Sequence, residues 1–324
     1  MTDFQIALIQ ALQVGAAWLA APMQFFSLLG QPEFYLLAIS ILYWCWDPRL
    51  GLRLGLLIGI SGGLNEALKV AFHLPRPYWV SPEVRALGSH PSFGLPSAHA
   101  QGAVTFWGLI AADVRQTWLS LVAVAMIFLI GVSRVVLGVH FPTDVLAGWA
   151  IGVIVLLGFL VLEEPVGRRV AALPLSRQVT VAFAGSLILA LISFAALTAL
   201  GDWQVPASWA AGALERSGES IHPLFLRDAV TASGLFFGFA AGAAAEHHHG
   251  SMCAVGKGSA RLLRYAFGIV VTGVIWFGLG FLVPQDPAWA AYILQYLRAA
   301  AAGAWVSFGA PMIFARANVP GGRA

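Results

Sequence analysis

The stretch from Ser133 to Asp144 reads Ser-Arg-Val-Val-Leu-Gly-Val-His-Phe-Pro-Thr-Asp, and it sets Ser133, Arg134, His140 and Asp144 in or beside long apolar runs. Ionisable groups are expensive in such surroundings and usually mark a task. Two earlier pieces share that character: Lys69 with Arg76-Pro77, and Pro96-Ser97-Ala98-His99. Together they supply permanent cations, a serine hydroxyl, two imidazoles and a carboxylate. That inventory suits the holding and cleavage of a phosphate ester.

A phosphate monoester or diphosphate carries about two negative charges at neutral pH, and the transferring phosphoryl group spreads charge over its equatorial oxygens. Lys69, Arg76 and Arg134 are the groups to neutralise it, the arginines as planar bidentate donors and the lysine as a point charge. Ser97 stands where a helix N-cap belongs, so the N–H groups of Ala98 and His99 add donors at the positive end of a helix dipole. No metal or other cofactor is expected. His140 and Asp144 are four residues apart across a helix start, where a carboxylate can take the imidazole Nδ1–H and leave Nε2 as a lone-pair nucleophile. Such a histidine can attack phosphorus and form a phosphohistidine that water then hydrolyses. His99 is free to protonate the leaving oxygen and afterwards to activate water. Glu66, Ser133 and Pro77 are expected just behind these groups, with Glu66 either pairing with Lys69 or buried structurally beside Asn65.

The elements that must position these residues are membrane helices. Of 324 residues, 59% are hydrophobic and 10% charged, with a mean hydropathy of +0.80; soluble domains carry about a quarter charged residues. The 18 Lys and Arg form no run or stripe, so the basic balance reads as topology and no nucleic-acid partner is expected. Residues 1–27, interrupted by glutamines, read as a helix lying at the interface or leaning into the bundle. A first clear span covers about 28–46 and breaks near Gly30-Gln31-Pro32. Further spans are expected near 50–72, 98–112, 118–139, 145–162, 179–200, 229–245, 262–283 and 288–314, eight or nine in all. Residues 28–165 form the motif-bearing core and 166–324 the additional transmembrane helices. No removable signal peptide is expected at the N-terminus.

With these spans, all three motif pieces converge on one membrane face. Most other Arg and Lys, including Lys257 and Arg323, fall on the opposite face, which the positive-inside rule assigns to the cytoplasm. The site is therefore expected to face the periplasm or exterior, with Cys45 and Cys253 as free thiols on the reducing side. Gly234, Gly238 and Gly242 line one helix face at four-residue spacing, a pattern of close helix packing that also offers a homo-oligomer contact.

The pattern Lys69, six residues, Arg76-Pro77; then Pro96-Ser97-Ala98-His99; then Ser133-Arg134, five residues, His140, three residues, Asp144 resembles the three motifs of the type 2 phosphatidic acid phosphatase superfamily, which also contains vanadium haloperoxidases. The neighbouring Tyr35 to Trp46 and Pro77 to Trp79 look similar to a bacterial membrane branch. The resemblance implies an all-α polytopic membrane bundle with a six-helix phosphatase core and additional C-terminal helices, in a bacterial inner membrane. It implies His140 as nucleophile, His99 as general acid, Asp144 as orienting partner, and Lys69, Arg76, Ser97, Ala98 and Arg134 around the phosphate. Ala98 departs from the family's usual glycine, and activity is expected to survive it.

The activity this implies is removal of phosphate from a membrane lipid: phosphatidate, phosphatidylglycerophosphate, a sphingoid phosphate or undecaprenyl diphosphate. Lipid-to-lipid phosphotransfer, vanadate-dependent halide oxidation and non-catalytic lipid transport use the same residues. The polytopic composition weighs against the oxidation, whose known branch is typically soluble. Taken singly, each polar residue has a bland explanation, such as a snorkelling cation or a structural histidine. His73 and His90 flank the site, where tuning it and lining a polar loop explain them equally well, and His247 to His249 read as a solvated cytoplasmic turn in preference to a weak metal site. The ordered spacing of all three pieces on one side favours chemistry. Glu215, Arg216 and His222 are placed in an outward loop after the sixth span.

Overall fold

The computed structural model describes residues 2–15, 17–250, 258–284 and 289–316, and among these every regular element is helical. Among the described residues, seven helices are long and apolar enough to cross a membrane, or eight if a bent pair is counted as one more span. Cys253, Lys257 and Arg323 lie outside the described residues. The bent pair is α2 (Ala20–Leu28) with α3 (Pro32–Ile41) and its continuation to Trp46, turning by 54° at the Gly30-Gln31-Pro32 break. Counted as one span, the pair starts at Ala20, ahead of the expected start near Leu28. Ahead of it, α1 (Thr2–Gly15) covers about 21 Å, too short to span.

The chain condenses into two compact units, neither continuous in sequence. One comprises residues 1–34, 64–157 and 192–225; the other 35–63, 158–191 and 226–324. Compaction therefore does not follow a cut at residue 165. The motifs all belong to the first unit.

In the first unit, α4 (Pro48–Phe72) contributes its last turns and ends before Pro75. His73 takes a left-handed conformation (φ 41°), and Arg76 is extended. Pro77 opens the short α5 (Pro77–Val80), where its missing N–H costs nothing. An irregular segment then leads to α6 (Ala98–Val114), α7 (Thr117–Val136) and α8 (Pro142–Ala171), whose residues up to 157 belong here. With 17 residues, α6 covers about 25 Å and falls slightly short of a full span. Continuing to Ala171, α8 outlasts the apolar run that ends near Leu162, because Glu163 and Glu164 end the hydrophobic stretch without ending the helix. The core gathers Ile9, Met23, Tyr78, Trp79, Phe93, Val136, Val139 and Phe141.

Two features of this unit escape the search for long apolar runs. The glutamines of α1 are docking groups. Gln5 Oε1 accepts from Thr143 N–H (3.1 Å) and Oγ (3.0 Å), Gln13 donates to Arg85 O (2.9 Å) and Val136 O (3.1 Å), and Gln10 donates to Glu83 (2.7 Å). The helix thus leans onto the loop and the third motif. After α9 (Leu175–Ala199), the loop forms α10 (Ala207–Ser217), which buries Ala213 and brings Gly212 against the carbonyl of Trp79. Arg216 donates to Tyr78 O (3.2 Å) and His222 N–H to Pro91 O (3.1 Å).

The second unit is built on small residues that admit close backbone approach. On α4, Gly55 and Gly59 receive Phe239 and Phe236 of α11 (Arg227–His249). On α11, Gly234, Gly238 and Gly242 face α13 (Trp289–Ala304) and the turn after it; a Cβ at Gly238 would stand 1.9 Å from Ala300 O. That face is filled within the chain, so it cannot also meet a second copy: intramolecular packing has taken the role expected of an oligomer contact. Arg53 pairs bidentately with Glu163 (2.7 and 2.6 Å). Cys45 is buried and its thiol donates to Arg261 O (3.3 Å), in the first turn of α12 (Gly258–Gly273). The final helix, α14, is Ala310–Arg316. His247 to His249 form the last turn of α11 rather than a loop.

Candidate active site

Helix starts and tight turns carry the site. Pro142 is the first residue of α8, and Asp144, two further on, reaches back so that its Oδ2 accepts the Phe141 N–H (2.9 Å). The same oxygen lies 3.2 Å from His140 Nδ1. On its other edge, His140 Nε2 is 3.0 Å from Arg76 Nη1. A guanidinium has no acceptor, so Nε2 must accept and Nδ1 must carry the proton toward Asp144. His140 therefore presents the lone pair that an attack on phosphorus requires. Burial, followed by the fields of Arg76, Arg134, His90 and Lys69, holds the imidazole well below its usual pKa, so it is neutral at pH 7.

Arg76 is 1% exposed and is fixed by acceptors on three sides. It donates to Ser92 O (2.7 Å), Val139 O (2.9 Å), Phe93 O (3.0 Å) and Ser92 Oγ (3.2 Å). A buried charged donor is worth about 1.5–3 kcal/mol per bond, and a guanidinium in such a cage does not swing. Lys69 Nζ bonds the same Ser92 Oγ (3.1 Å) and pairs with Glu66 Oε1 (2.6 Å). Of the two expectations for Glu66, the structure shows the pairing. Ser92 was not singled out in the sequence, where a serine in a polar loop carries no signal, yet it joins two of the cations.

Arg134 is held at both ends: Nη1 bonds Ser27 Oγ of α2 and Nη2 bonds His90 Nε2, while Nε has no partner. His90 stands edge-on to His99, with ring centroids 5.6 Å apart. His99 Nε2 is buried with no partner, a costly state for a polar atom outside a functional role. Gly30 makes room for this ring, since a Cβ there would lie 2.8 Å from His99 Cδ2. Ser27 comes from a stretch that reads as plain helix, Gly30 from the expected helix break, and His90 from the polar loop flanking the site.

Ser97 is the N-cap of α6, its Oγ accepting the Ala100 N–H (3.4 Å) and its own N–H donating to Asp144 O (3.0 Å). That bond ties the starts of α6 and α8 together. Ala98 and His99 occupy the first two helical positions, where N–H groups precede any intrahelical partner. Ser133 gives its hydroxyl to Ile130 O (2.6 Å) of its own helix. Between Arg134 and His140 the chain turns at Gly138, whose φ of +72° and contact with Arg85 O (2.4 Å from a built Cβ) exclude a side chain. His73, by contrast, is half-buried and packs edge-on to Trp203 (5.0 Å between centroids).

Residues 50–167 match the model of the PAP2 superfamily, and residues 230–322 that of the PAP2 superfamily phosphatase transmembrane extension. Phosphatidylglycerophosphatase B of Bacillus subtilis is 32% identical over 167 residues, covering 47% of this chain and 77% of that protein. An undecaprenyl-diphosphatase of Sulfolobus acidocaldarius is 32% identical over 109 residues, covering 32% of this chain and 50% of its own length. The crystal structure of a transmembrane PAP2 type phosphatidylglycerolphosphate phosphatase from Bacillus subtilis is 26% identical, covers 49% of this chain and 86% of that one, and superposes with a TM-score of 0.40, too low to bear on the fold.

Proposed function

The chain belongs to the PAP2 superfamily and is a lipid phosphate phosphatase of the membrane; from that premise we propose that it works through a phosphohistidine at His140, on the outward side of a bacterial inner membrane. The substrate is a lipid phosphate monoester or diphosphate: phosphatidate, phosphatidylglycerophosphate, a sphingoid phosphate or undecaprenyl diphosphate. The observation that carries the mechanism is the tautomer of His140, set by Asp144 on Nδ1 and by Arg76 on Nε2.

A phosphate entering the site takes over N–H bonds of Arg76 and Arg134 and the free helix-start N–H groups of Ala98 and His99. His140 Nε2 forms a bond to phosphorus as the bond to the leaving oxygen breaks. His99 gives its Nε2 proton to that oxygen, and Asp144 stabilises the positive ring of the phosphohistidine. Water then attacks phosphorus, His99 takes its proton, the N–P bond breaks and inorganic phosphate leaves. Lys69 and Ser92 complete the charge around the equatorial oxygens. The outward assignment rests on the excess of Arg on the opposite face, Arg49, Arg53, Arg115, Arg168, Arg169 and Arg177 among them, against Arg85, Arg216 and Arg227 on the site's face.

The test is phosphate release from a panel of these lipids by detergent-solubilised protein, with His140→Ala beside the wild type. Loss of release by at least about a thousandfold in the variant is expected. Equal release by both removes the proposal.

A further inference from the structure

The cations of the site divide between its two catalytic histidines. Arg76 bonds Nε2 of His140, and Ser92 Oγ links it to Lys69. Arg134 instead lies between Ser27 and His90, and the His90 ring stands against His99 at an interplanar angle of 68°. The acid's side of the site, where the leaving group departs, therefore has its own cation and a third imidazole. A leaving alcohol, protonated by His99, is neutral and calls for neither. A leaving group that is itself a phosphate monoester brings about two negative charges and calls for both.

His90 is built into place. Its backbone N–H donates to Tyr78 Oη (3.1 Å) and its carbonyl accepts from the same phenol (3.1 Å). Tyr78 is fully buried, and the neighbouring Pro91 carbonyl is held by His222 N–H (3.1 Å). A loop residue without a task has no need of a phenol bracketing its peptide groups.

Resting on the phosphatase reading with His99 as acid, we propose that His90 is a further substrate-binding residue that forms, with Arg134, a subsite for an anionic leaving group such as the phosphate that departs from a lipid diphosphate. His90 Nε2 accepts an N–H from Arg134. An arriving diphosphate takes that N–H, and the freed Nε2 picks up a proton and donates to the anion. The groups around it, Arg134, Arg76, His99 and Lys69, together with burial, hold His90 neutral until the anion arrives. His140 then bonds the terminal phosphorus, the bond to the bridging oxygen breaks, and that oxygen leaves on the lipid phosphate with the proton of His99.

The experiment is calorimetric titration of the full detergent-solubilised chain with inorganic pyrophosphate and with inorganic phosphate, for wild type, His90→Ala and His90→Gln. Pyrophosphate affinity is expected to fall about tenfold or more in His90→Ala, exceeding the loss for phosphate at least fivefold, and His90→Gln recovers part of it by offering an N–H. Titration in two buffers of different ionisation enthalpy is expected to show proton uptake with pyrophosphate in the wild type and less of it in His90→Gln. Equal losses for both anions, no loss for either, or unchanged proton uptake overturns the proposal. Lipid phosphate release by wild type and His140→Ala is measured alongside. If wild type releases none while the pyrophosphate preference stands, the phosphatase reading fails and the subsite is supported; normal release without the preference sinks the subsite alone.

Discussion

Replacing Asp144 by Asn tests the tautomer directly. Asp144 Oδ2 accepts from both His140 Nδ1 (3.2 Å) and Phe141 N–H (2.9 Å). An amide can keep the second bond through its oxygen while turning its NH₂ toward His140, so the start of α8 stays capped. What changes is the histidine. Facing a donor, Nδ1 must accept, and the proton moves to Nε2, the atom proposed to attack phosphorus. Losing a charge-assisted bond accounts for about 1.5–3 kcal/mol, or roughly 10–150-fold at 1.36 kcal/mol per tenfold. The wrong tautomer adds to this, and in a catalytic triad the equivalent change costs about 10⁴ in kcat. We therefore expect kcat for phosphate release to fall by about 10²–10⁴, with KM nearly constant and the melting temperature lowered by only a few degrees. Asp144→Ala, which also strips the Phe141 cap, is expected to melt lower still. A folded Asp144→Asn protein with kcat within about threefold of wild type would refute the reasoning, since no other group in the site reaches His140 Nδ1 in its place.

Two further outcomes follow from the same geometry. Gly138→Ala forces a side chain into the left-handed region at φ +72° and against Arg85 O, a strain of about 1–2 kcal/mol before the clash is counted; thermal unfolding should drop by several degrees and kcat should fall, because the turn sets Arg134 against His140. An unchanged melt would show that the turn has slack. For pH, His140 is held below its unfolded pKa of about 6.5, so the unfolded chain binds the extra proton and its stability contribution is complete above about pH 6.5 and lost as pH falls. The loss is at most about 1.4 kcal/mol per pH unit. Melting between pH 7.5 and 5.5 should therefore fall less in His140→Gln than in wild type, and identical falls would contradict the assignment.

The three motif pieces were legible because chemistry constrains residue type and spacing at helix ends, where few alternatives exist. Lys69, Arg76, Ser97, His99, Arg134, His140 and Asp144 could be singled out one by one in the sequence, and the pairing of Glu66 with Lys69 was one of two readings open there. Ser92 and Ser27 could not, and His90 stood there only as a residue flanking the site, with a tuning role and a polar loop equally open. A serine in an apolar helix and a histidine in a polar loop each have commonplace explanations, and only the approach of α2 and the loop to Arg134 gives them a partner. The glutamines of α1 suffered the same ambiguity: polarity within an apolar run signals an interface or a buried partner equally well, and Thr143 and Arg85 supply the partner.

What composition and order alone determined is the membrane setting, the helical class and the phosphate chemistry, because hydrophobic length and motif spacing are one-dimensional properties. What the tertiary structure decided is which face of each helix is spent on packing and which on the site. In the sequence Gly234, Gly238 and Gly242 suit close packing and a second copy alike, and α13 takes them for packing; His90 flanks the motifs with no fixed role, and its bond to Arg134 gives it a partner. Both outcomes depend on contacts between residues tens of positions apart, whose energies come from close approach and buried hydrogen bonds, and neither leaves a mark in the local order of residues.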